Sequence, residues 1–413
     1  MAADDERFRG IATLEGEDHR ASRKMLTSSF SINNIRRLEP VFLSKAREVC
    51  SLVARAIASS PDGRAATIDC TETFSKATLN IIGVTSLGIE LDYLNSNATE
   101  NKFSPDSKTL SDYSFHQAYN TIFGPDLIGK ILMFGSMFFP TRWIPLRANR
   151  DYKVAKEWLN RVLRDLITQR KSTIQNAFSK GIHRKENFQD LLSFIIEESM
   201  PGGSAEGIPD LHITGHLLQF IGAGHDTSAN CVSWSLYTMA TQQDVQERLR
   251  DEIENTLGGK ADLSFADLDS LHYLNNFVKE ALRMYPPGSV VYRQSYADVI
   301  IDGIPIPKNT AFETVPAVTS LNPLVWGEYA ETFDPDRWDN LSEEQSSPYA
   351  FATFSNGPRI CIGRHFALYE IKMILVEIVR NFRILGNVTP FTVENPSLTL
   401  RPRGMKVRLE KVA

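Results

Sequence analysis

The stretch Phe354-Ser355-Asn356-Gly357-Pro358-Arg359-Ile360-Cys361-Ile362-Gly363-Arg364 restricts the fold of this chain more than any other. A turn-forming Asn-Gly-Pro leads into one cysteine. Apolar residues then recur at helical spacing through Phe366, Ala367, Ile371, Ile374, Leu375 and Ile378. Cys361 is thereby set near a helix N-terminus, where the dipole and free backbone N–H groups favour an anionic thiolate. Gly363 has no side chain to collide, so backbone can approach the sulfur closely. Arg359, two residues earlier, can reach the carboxylates of anything lying over the sulfur. A lone cysteine after a loop is in most proteins a buried structural residue. The spacing Phe-x-x-Gly-x-Arg-x-Cys-x-Gly asks for more than burial.

A chain of 413 residues can bury a large core as one domain or divide into two or three. Hydrophobic residues at 42% and charged residues at 23% match an ordinary soluble globular protein. A net charge of −5 gives no reason to expect a nucleic-acid partner. Cys50, Cys70, Cys231 and Cys361 show neither disulfide nor zinc spacing, which points to a reducing compartment. Met1 to Arg7 is polar and acidic, unlike a signal peptide or membrane anchor. The most apolar short run, residues 131–139 with Pro140 and Trp143 after it, is too short to span a bilayer. It reads either as buried core or as a segment dipping into a membrane surface. No repeat or composition break divides the chain, so a single domain over residues 1–413 is expected.

Along the chain, His19 to Lys24 opens a helix ending near Phe30-Ser31, with His19 and Arg23 on one face. The pattern is helical over residues 34–59 and 71–88, broken by Pro61-Asp62-Gly63. Residues 91–112 read as loop, and helices resume over 113–119 and 151–180. Residues 181–186 and 201–209 read as linkers. One long, mostly apolar helix is expected from Asp210 to about Thr241. Its middle holds Ala223-Gly224-His225-Asp226-Thr227, where small residues, an acid and a hydroxyl cost helix stability and polar burial unless they have a task. Either a loosened helix opens a groove for a diatomic ligand with a proton path through Asp226 and Thr227, or the pentapeptide is a packing notch. His212 and His216 have zinc-compatible spacing but lack the intervening Glu and a third ligand. Gly222-Ala223-Gly224 lacks the third glycine and preceding strand of a dinucleotide loop.

The segment 271–284 is a helix stopped by Pro286-Pro287, carrying Glu280 and Arg283 as i,i+3 neighbours. Short strands follow within residues 290–306, with turns at Asp302-Gly303 and Pro307-Lys308-Asn309. Phe333-Asp334-Pro335-Asp336-Arg337-Trp338 comes next, and residues 387–409 read as a second strand-and-turn region.

Taken in order, Ala-Gly-x-Asp-Thr at the helix centre, Glu-x-x-Arg, Phe-x-Pro-x-Arg and the cysteine loop resemble the cytochrome P-450 family, in its eukaryotic, microsomal and fungal forms. The resemblance runs from about Gly16 onward and is most specific over residues 210–380. It implies a mainly α fold with small β-sheets, a long central helix over the haem and the cysteine loop beneath it. By resemblance, Cys361 is the axial thiolate of haem b, in a loop that includes Phe354 and Gly363. His19, Arg23, Arg293 and Arg359 then neutralise the haem propionates. Glu280, Arg283 and Arg337 form a structural triad that holds the loop. Asp226 and Thr227 manage protons while O2 is reduced and cleaved, and Phe220, Ala223, Val290 and Val291 face the substrate.

The activity implied is insertion of one oxygen atom from O2 into a hydrophobic small molecule. Electrons would come from NADPH through a separate flavin reductase, and the metabolic setting would be secondary metabolism. Arg364, His365 and Lys372 would offer that reductase a basic face. Two other readings are a haem-thiolate isomerase or dehydratase, and a truncated haem-binding remnant without turnover. The second arises because the propionate-binding helix begins within the first twenty residues. An N-terminally incomplete chain, lacking the family's anchor and first helices and strands, is therefore expected. A full-length form would sit on the cytosolic face of the endoplasmic reticulum, whereas this chain alone reads as cytoplasmic or peripheral, with membrane contact near residues 131–143.

Overall fold

A computed structural model of the chain describes residues 10–91, 115–136, 139–179, 190–387, 389–394 and 397–412. The loop expected over 91–112 lies outside these residues except for Leu91, as do the linker over 181–186, Met1 to Arg7, and Met137 and Phe138 of the apolar run. Helices α1 (Gly16–Ser29), α2 (Ile32–Arg36) and α3 (Glu39–Ala58) come first, then strand β1 (Ala65–Asp69) and α4 (Cys70–Ile82). Next are α5 (Phe115–Phe123), α6 (Leu127–Gly135), α7 (Arg147–Ser179), α8 (Leu191–Ser199) and α9 (Asp210–Thr241). Helices α10 (Gln243–Leu257), α11 (Phe265–Ser270) and α12 (His272–Met284) lead to strands β2 (Val291–Gln294), β3 (Val299–Ile301), β4 (Ile304–Ile306) and β5 (Ala311–Thr314). The one-turn helices α13 (Pro316–Thr319), α14 (Pro323–Trp326) and α15 (Glu343–Ser346) precede α16 (Arg364–Asn381). Strands β6 (Phe382–Asn387), β7 (Thr392–Val393), β8 (Pro402–Arg403) and β9 (Lys406–Lys411) end the chain.

The chain divides into two compact units, residues 1–41 with 76–225 and residues 42–75 with 226–413. The first is all helix among its described residues. Its α7 side chain Arg170 bonds Asp190, whose other carboxylate oxygen caps α8 by accepting the Ser193 N–H at 2.8 Å. One ion pair thus fixes where the next helix starts. Before that, α4 loosens into a π-helical turn over Gly83–Leu87 and stops at Gly88, whose φ of +67° suits glycine.

The second unit holds the sheets. β1, β9 and β6 form one antiparallel sheet in the order β1-β9-β6, with Ile68 opposite Val407 and Ile384 opposite Leu409. Alternate residues Val407 and Leu409 of β9 are buried with Ile384, so period two puts one face into the core. β1 went unseen in the sequence pattern. Its five residues have meaning as a strand only once β9, more than 300 residues on, supplies the ladder. By contrast, the β3–β4 hairpin and its turn fall where expected, with Asp302 and Gly303 at positive φ.

Helix packing fills the rest of this unit. Phe42 of α3 lies edge-on to Phe366 of α16 at 4.9 Å and stacks on Phe265 of α11 at 5.8 Å. Arg250 of α10 donates to the Val379 carbonyl and, at 2.9 Å, to the Phe382 carbonyl, satisfying the C-terminal end of α16.

Helix α9 corrects one expectation. It runs without a break through Asp226 and Thr227, so no loosened turn opens there. The glycines do serve packing: a Cβ on Gly224 would fall 2.6 Å from Ile82 Cδ1, and one on Gly222 would fall 2.8 Å from Phe123 Cε1. Further along, Ser233, Ser235 and Thr238 return their hydroxyls to carbonyls four residues back. That satisfies the buried polar groups of a helix with few charges.

Candidate active site

Within the second unit, backbone demands shape the cysteine loop. Ser355 and Gly357 take positive φ, and the Ser355 N–H closes a turn onto the Ala352 carbonyl at 2.8 Å. A 3-10 turn follows over Gly357–Arg359. The Cys361 N–H then donates to the Phe354 carbonyl at 2.7 Å, which holds the cysteine backbone against the start of its own loop. Gly363 is the N-cap of α16, an 18-residue helix, so Cys361 stands two residues ahead of a strong N-terminal dipole.

Cys361 is exposed, whereas Cys50, Cys70 and Cys231 are buried. Burial drives the thiols of Cys50 and Cys70 far above their ordinary range and that of Cys231 up to about 12. The reading of Cys361 as a buried structural residue therefore fails. A soft, open sulfur ahead of a helix N-terminus is the donor that suits haem iron. Cationic groups stand on and beside the loop. Arg359 lies on it, and Arg293 of β2 reaches it by donating to Ser355 Oγ at 3.2 Å. The residues present fit a haem held by one thiolate, with cations available for its carboxylates. No cluster of three or more His, Cys, Asp or Glu able to hold a metal ion occurs among the described residues.

A second constellation braces this loop. Glu280 and Arg283 of α12 are both wholly buried and joined by two hydrogen bonds, at 2.9 and 2.7 Å. Glu280 also accepts from the Asp334 N–H and the Trp338 indole N–H, each at 3.0 Å, and from Arg337 Nε at 3.4 Å. Arg337 further donates to the Trp326 carbonyl at 3.0 Å, and Arg283 donates to the carbonyls of Ser320 and Ala330. Every strong donor and acceptor of the cluster is spoken for, as a buried charge pair requires. The link to the cysteine loop is aromatic. Trp338 packs edge-on to Phe351 at 5.1 Å and Phe351 on Phe354 at 6.5 Å, while the Thr353 hydroxyl donates to the Leu282 carbonyl of α12 at 2.8 Å. Trp338 drew no notice in the sequence beyond following Arg337, although a tryptophan beside a charged motif is a signal of this kind.

Asp226 has partners that no local pattern announces. Its carboxylate accepts from Arg401 and from the Thr399 hydroxyl, with Asn230 Nδ2 at 3.5 Å. Asn230 also donates to Thr399 Oγ1 at 3.1 Å, and the Trp234 indole donates to the Leu400 carbonyl at 2.9 Å. Residues 226, 230 and 234 lie one turn apart on α9, so a single stripe of the helix binds the segment Thr399-Leu400-Arg401. Asp226 is thus a fixed acceptor.

The remaining expected residues are placed as follows. In the first unit His19 is buried on α1, with Arg23 half-buried one turn on. Phe220 is buried against Phe30, ring centroids 5.0 Å apart, which makes it core rather than an open wall. Ala223 is exposed although it lies mid-helix. His225 bonds Tyr119 Oη through Nδ1 at 2.8 Å. His216 accepts the Ile11 N–H at 3.1 Å, and burial lowers its pKa to about 4, which accounts for it without a metal. In the second unit Val290 and Val291 are half-buried at the start of β2. Lys372, expected on a docking face, is buried with its Nζ 3.2 Å from Asp269, so only Arg364 and His365 of that set are exposed.

A family model described as cytochrome P450 matches residues 2–409. Cytochrome P450 monooxygenase sphH of Aspergillus fumigatus is 29% identical over 410 residues, covering 95% of this chain and 69% of that protein. Cytochrome P450 4X1 of Homo sapiens is 27% identical over 409 residues, covering 98% of this chain and 76% of that protein. A crystal structure of the cytochrome P450DA heme domain superposes with a TM-score of 0.78 at 20% identity, covering 98% of this chain and 80% of that one. The chain belongs to the cytochrome P450 family. It is a haem-dependent monooxygenase, an oxidoreductase that uses O2, a small-molecule substrate and a redox partner. The isomerase or dehydratase reading is not favoured.

Proposed function

We propose that this chain binds haem b through Cys361 and oxidises a hydrophobic small molecule of specialised metabolism, with electrons from NADPH through a separate flavin reductase. The observation that carries the reading is the exposed cysteine whose N–H is pinned to the Phe354 carbonyl just ahead of α16. The bound haem supplies the iron on which O2 is activated. Cys361 would hold that iron through its thiolate. Arg293 and Arg359 would balance the propionates, since carboxylates removed from water need partners. Val290 and Val291, half-buried at the start of β2, would offer apolar contact to substrate. Thr227 holds a proton at its hydroxyl for delivery to reduced oxygen. Asp226, anchored by Arg401 and Thr399, orients the polar groups around Thr227 rather than swinging freely.

Thr227→Ala tests the proton role. Haem content and the thiolate spectrum stay as in the parent, while the fraction of NADPH converted to product falls by roughly tenfold or more, the loss expected for a general acid. Peroxide and NADPH assays read this directly, and tight coupling retained in the variant would remove Thr227 from the path. Leaving out NADPH and O2 tests the class of chemistry: turnover that continued without them would revive the isomerase reading. Haem binding with no turnover on any substrate would revive the inert remnant.

Exposed apolar side chains support membrane contact. Phe139 and Trp143 are 73% and 75% exposed, and Leu127, Ile128 and Ile131 of α6 are exposed with them. None of the described helices is long and apolar enough to cross a membrane. We read this segment as resting on the cytosolic face of the endoplasmic reticulum. Changing Phe139 and Trp143 together to serine removes two aromatic groups worth about 1.5–3 kcal/mol each when buried. Sedimentation with phosphatidylcholine–phosphatidylserine vesicles should show binding reduced by at least about tenfold. Unchanged binding would place the contact elsewhere.

A further inference from the structure

We propose that the gap between α7 and the start of α9 binds a small zwitterion carrying a phosphate and an ammonium group, of which O-phosphoethanolamine is the simplest form. Both segments lie in the first unit. A cavity of about 250 Å³ opens there, lined by Glu157, Asn160, Arg161 and Arg164 of α7 and by Leu211 and Thr214 of α9. Pockets for drug-sized ligands run to about 300–1,000 Å³ and are mostly apolar. This one is smaller, and all its lining side chains but Leu211 are polar, so it suits a compact charged molecule rather than the hydrophobic substrate.

Positions 157, 160, 161 and 164 share one stripe of α7. Asn160 is the residue that points to a ligand. It is only 8% exposed, and its Oδ1 is buried with no hydrogen-bond partner. An orphaned buried acceptor is costly, and a donor on a molecule in the cavity would relieve it. Thr214 is buried too, and its hydroxyl donates to the Asp210 carbonyl at 2.9 Å, which leaves its oxygen to accept. The Glu157 carboxylate is a third acceptor. Three acceptors at one cavity match an ammonium, which brings three donors and no acceptor.

The donors are the two arginines. Arg161 and Arg164 are exposed, and neither forms an ion pair among the described residues. Glu157 precedes Arg161 by four residues, the order that favours pairing on a helix, and still the two stay apart. Lys171, two turns beyond Arg164, is paired with Asp210, the first residue of α9, so these two add no net charge. The lining thus carries two positive charges and one negative. A phosphate monoester has a charge of about −1.5 to −2 at neutral pH, and its ammonium leaves about one negative charge to meet the one positive. Its three terminal oxygens can serve both guanidinium forks, whereas the two of a carboxylate are used up by one. Leu211 offers apolar contact to the methylenes between the charged ends. A phospholipid headgroup shares this chemistry, but its diester is neutralised by its own ammonium, so charge favours the free monoester.

Calorimetric titration of the haem-loaded protein should show one site for O-phosphoethanolamine. Ethyl phosphate, which lacks the ammonium, should bind about tenfold more weakly, the scale of a hydrogen bond to a charged group. Arg161→Gln together with Arg164→Gln should weaken both ligands by about tenfold or more. Glu157→Gln should weaken O-phosphoethanolamine alone and leave ethyl phosphate unchanged. Asn160→Leu keeps the size and removes the orphan, so the urea midpoint should hold or rise while affinity for O-phosphoethanolamine falls about fivefold. No heat from the parent at millimolar O-phosphoethanolamine, or equal affinity in the double arginine variant, overturns the proposal. Equal affinity in Asn160→Leu with a lowered urea midpoint overturns it as well, because Asn160 would then be purely structural. Sedimentation with phosphatidylcholine vesicles, with and without phosphatidylethanolamine, separates the two sources. No gain from phosphatidylethanolamine upholds the free monoester, and a gain that the double arginine variant loses overturns it in favour of the lipid. The readout is binding and not turnover, so failure of the haem reading would leave these results standing.

Discussion

Replacing Cys361 with alanine abolishes the thiolate-type spectrum of the reduced carbon monoxide complex and all turnover, while the protein still folds. The physical ground is the contrast among the four cysteines. Three are sealed in the core, where a thiolate is disfavoured, and Cys361 alone is exposed, ahead of the N-terminal dipole of α16. Removing an exposed sulfur creates no core cavity, so stability should change by less than about 1 kcal/mol. The loop hydrogen bond to the Phe354 carbonyl comes from the backbone N–H and survives the substitution. Serine at the same position keeps size and loses softness, and it should fail in the same way. A normal carbon monoxide spectrum from either variant would mean that another atom holds the iron.

Replacing Glu280 with alanine destroys the structure rather than the chemistry. The change leaves the Arg283 guanidinium wholly buried without its counter-charge, and strips acceptors from Arg337, the Trp338 indole and the Asp334 N–H. Removing one partner of a buried pair costs on the order of 3–5 kcal/mol, a large share of the roughly 5–15 kcal/mol that keeps a domain folded. The damage should travel through Trp338, Phe351 and Phe354 to the cysteine loop. Soluble yield, urea midpoint and haem uptake should all fall together. Glu280→Gln, which keeps an acceptor and loses the charge, should lie between. A urea midpoint close to that of the parent in the alanine variant would show that the cluster does not brace the fold.

The motifs with local grammar were legible from the chain alone. A proline-turn-cysteine-helix stretch needs no distant residue to be recognised, nor does Glu-x-x-Arg on one helix face, nor a hairpin with Asp-Gly at its turn. The limits of α9 were readable as well, because a long apolar helix announces its length. β1 was not, since a five-residue strand has meaning only against β9. The same is true of Arg401 and Thr399: nothing near Asp226 in sequence says that residues over 170 positions away will hold its carboxylate.

The linear order of residues therefore settled the family and singled out the cysteine and the acids and bases at issue, because each depends on spacing along one element. Folding alone decided which of them are held and which are open. Burial took Lys372 out of any docking face and seated Phe220 in the core. It closed the three other thiols away from water. The reason is dielectric and steric: a side chain's charge and freedom depend on what surrounds it, and that is fixed only when distant segments pack.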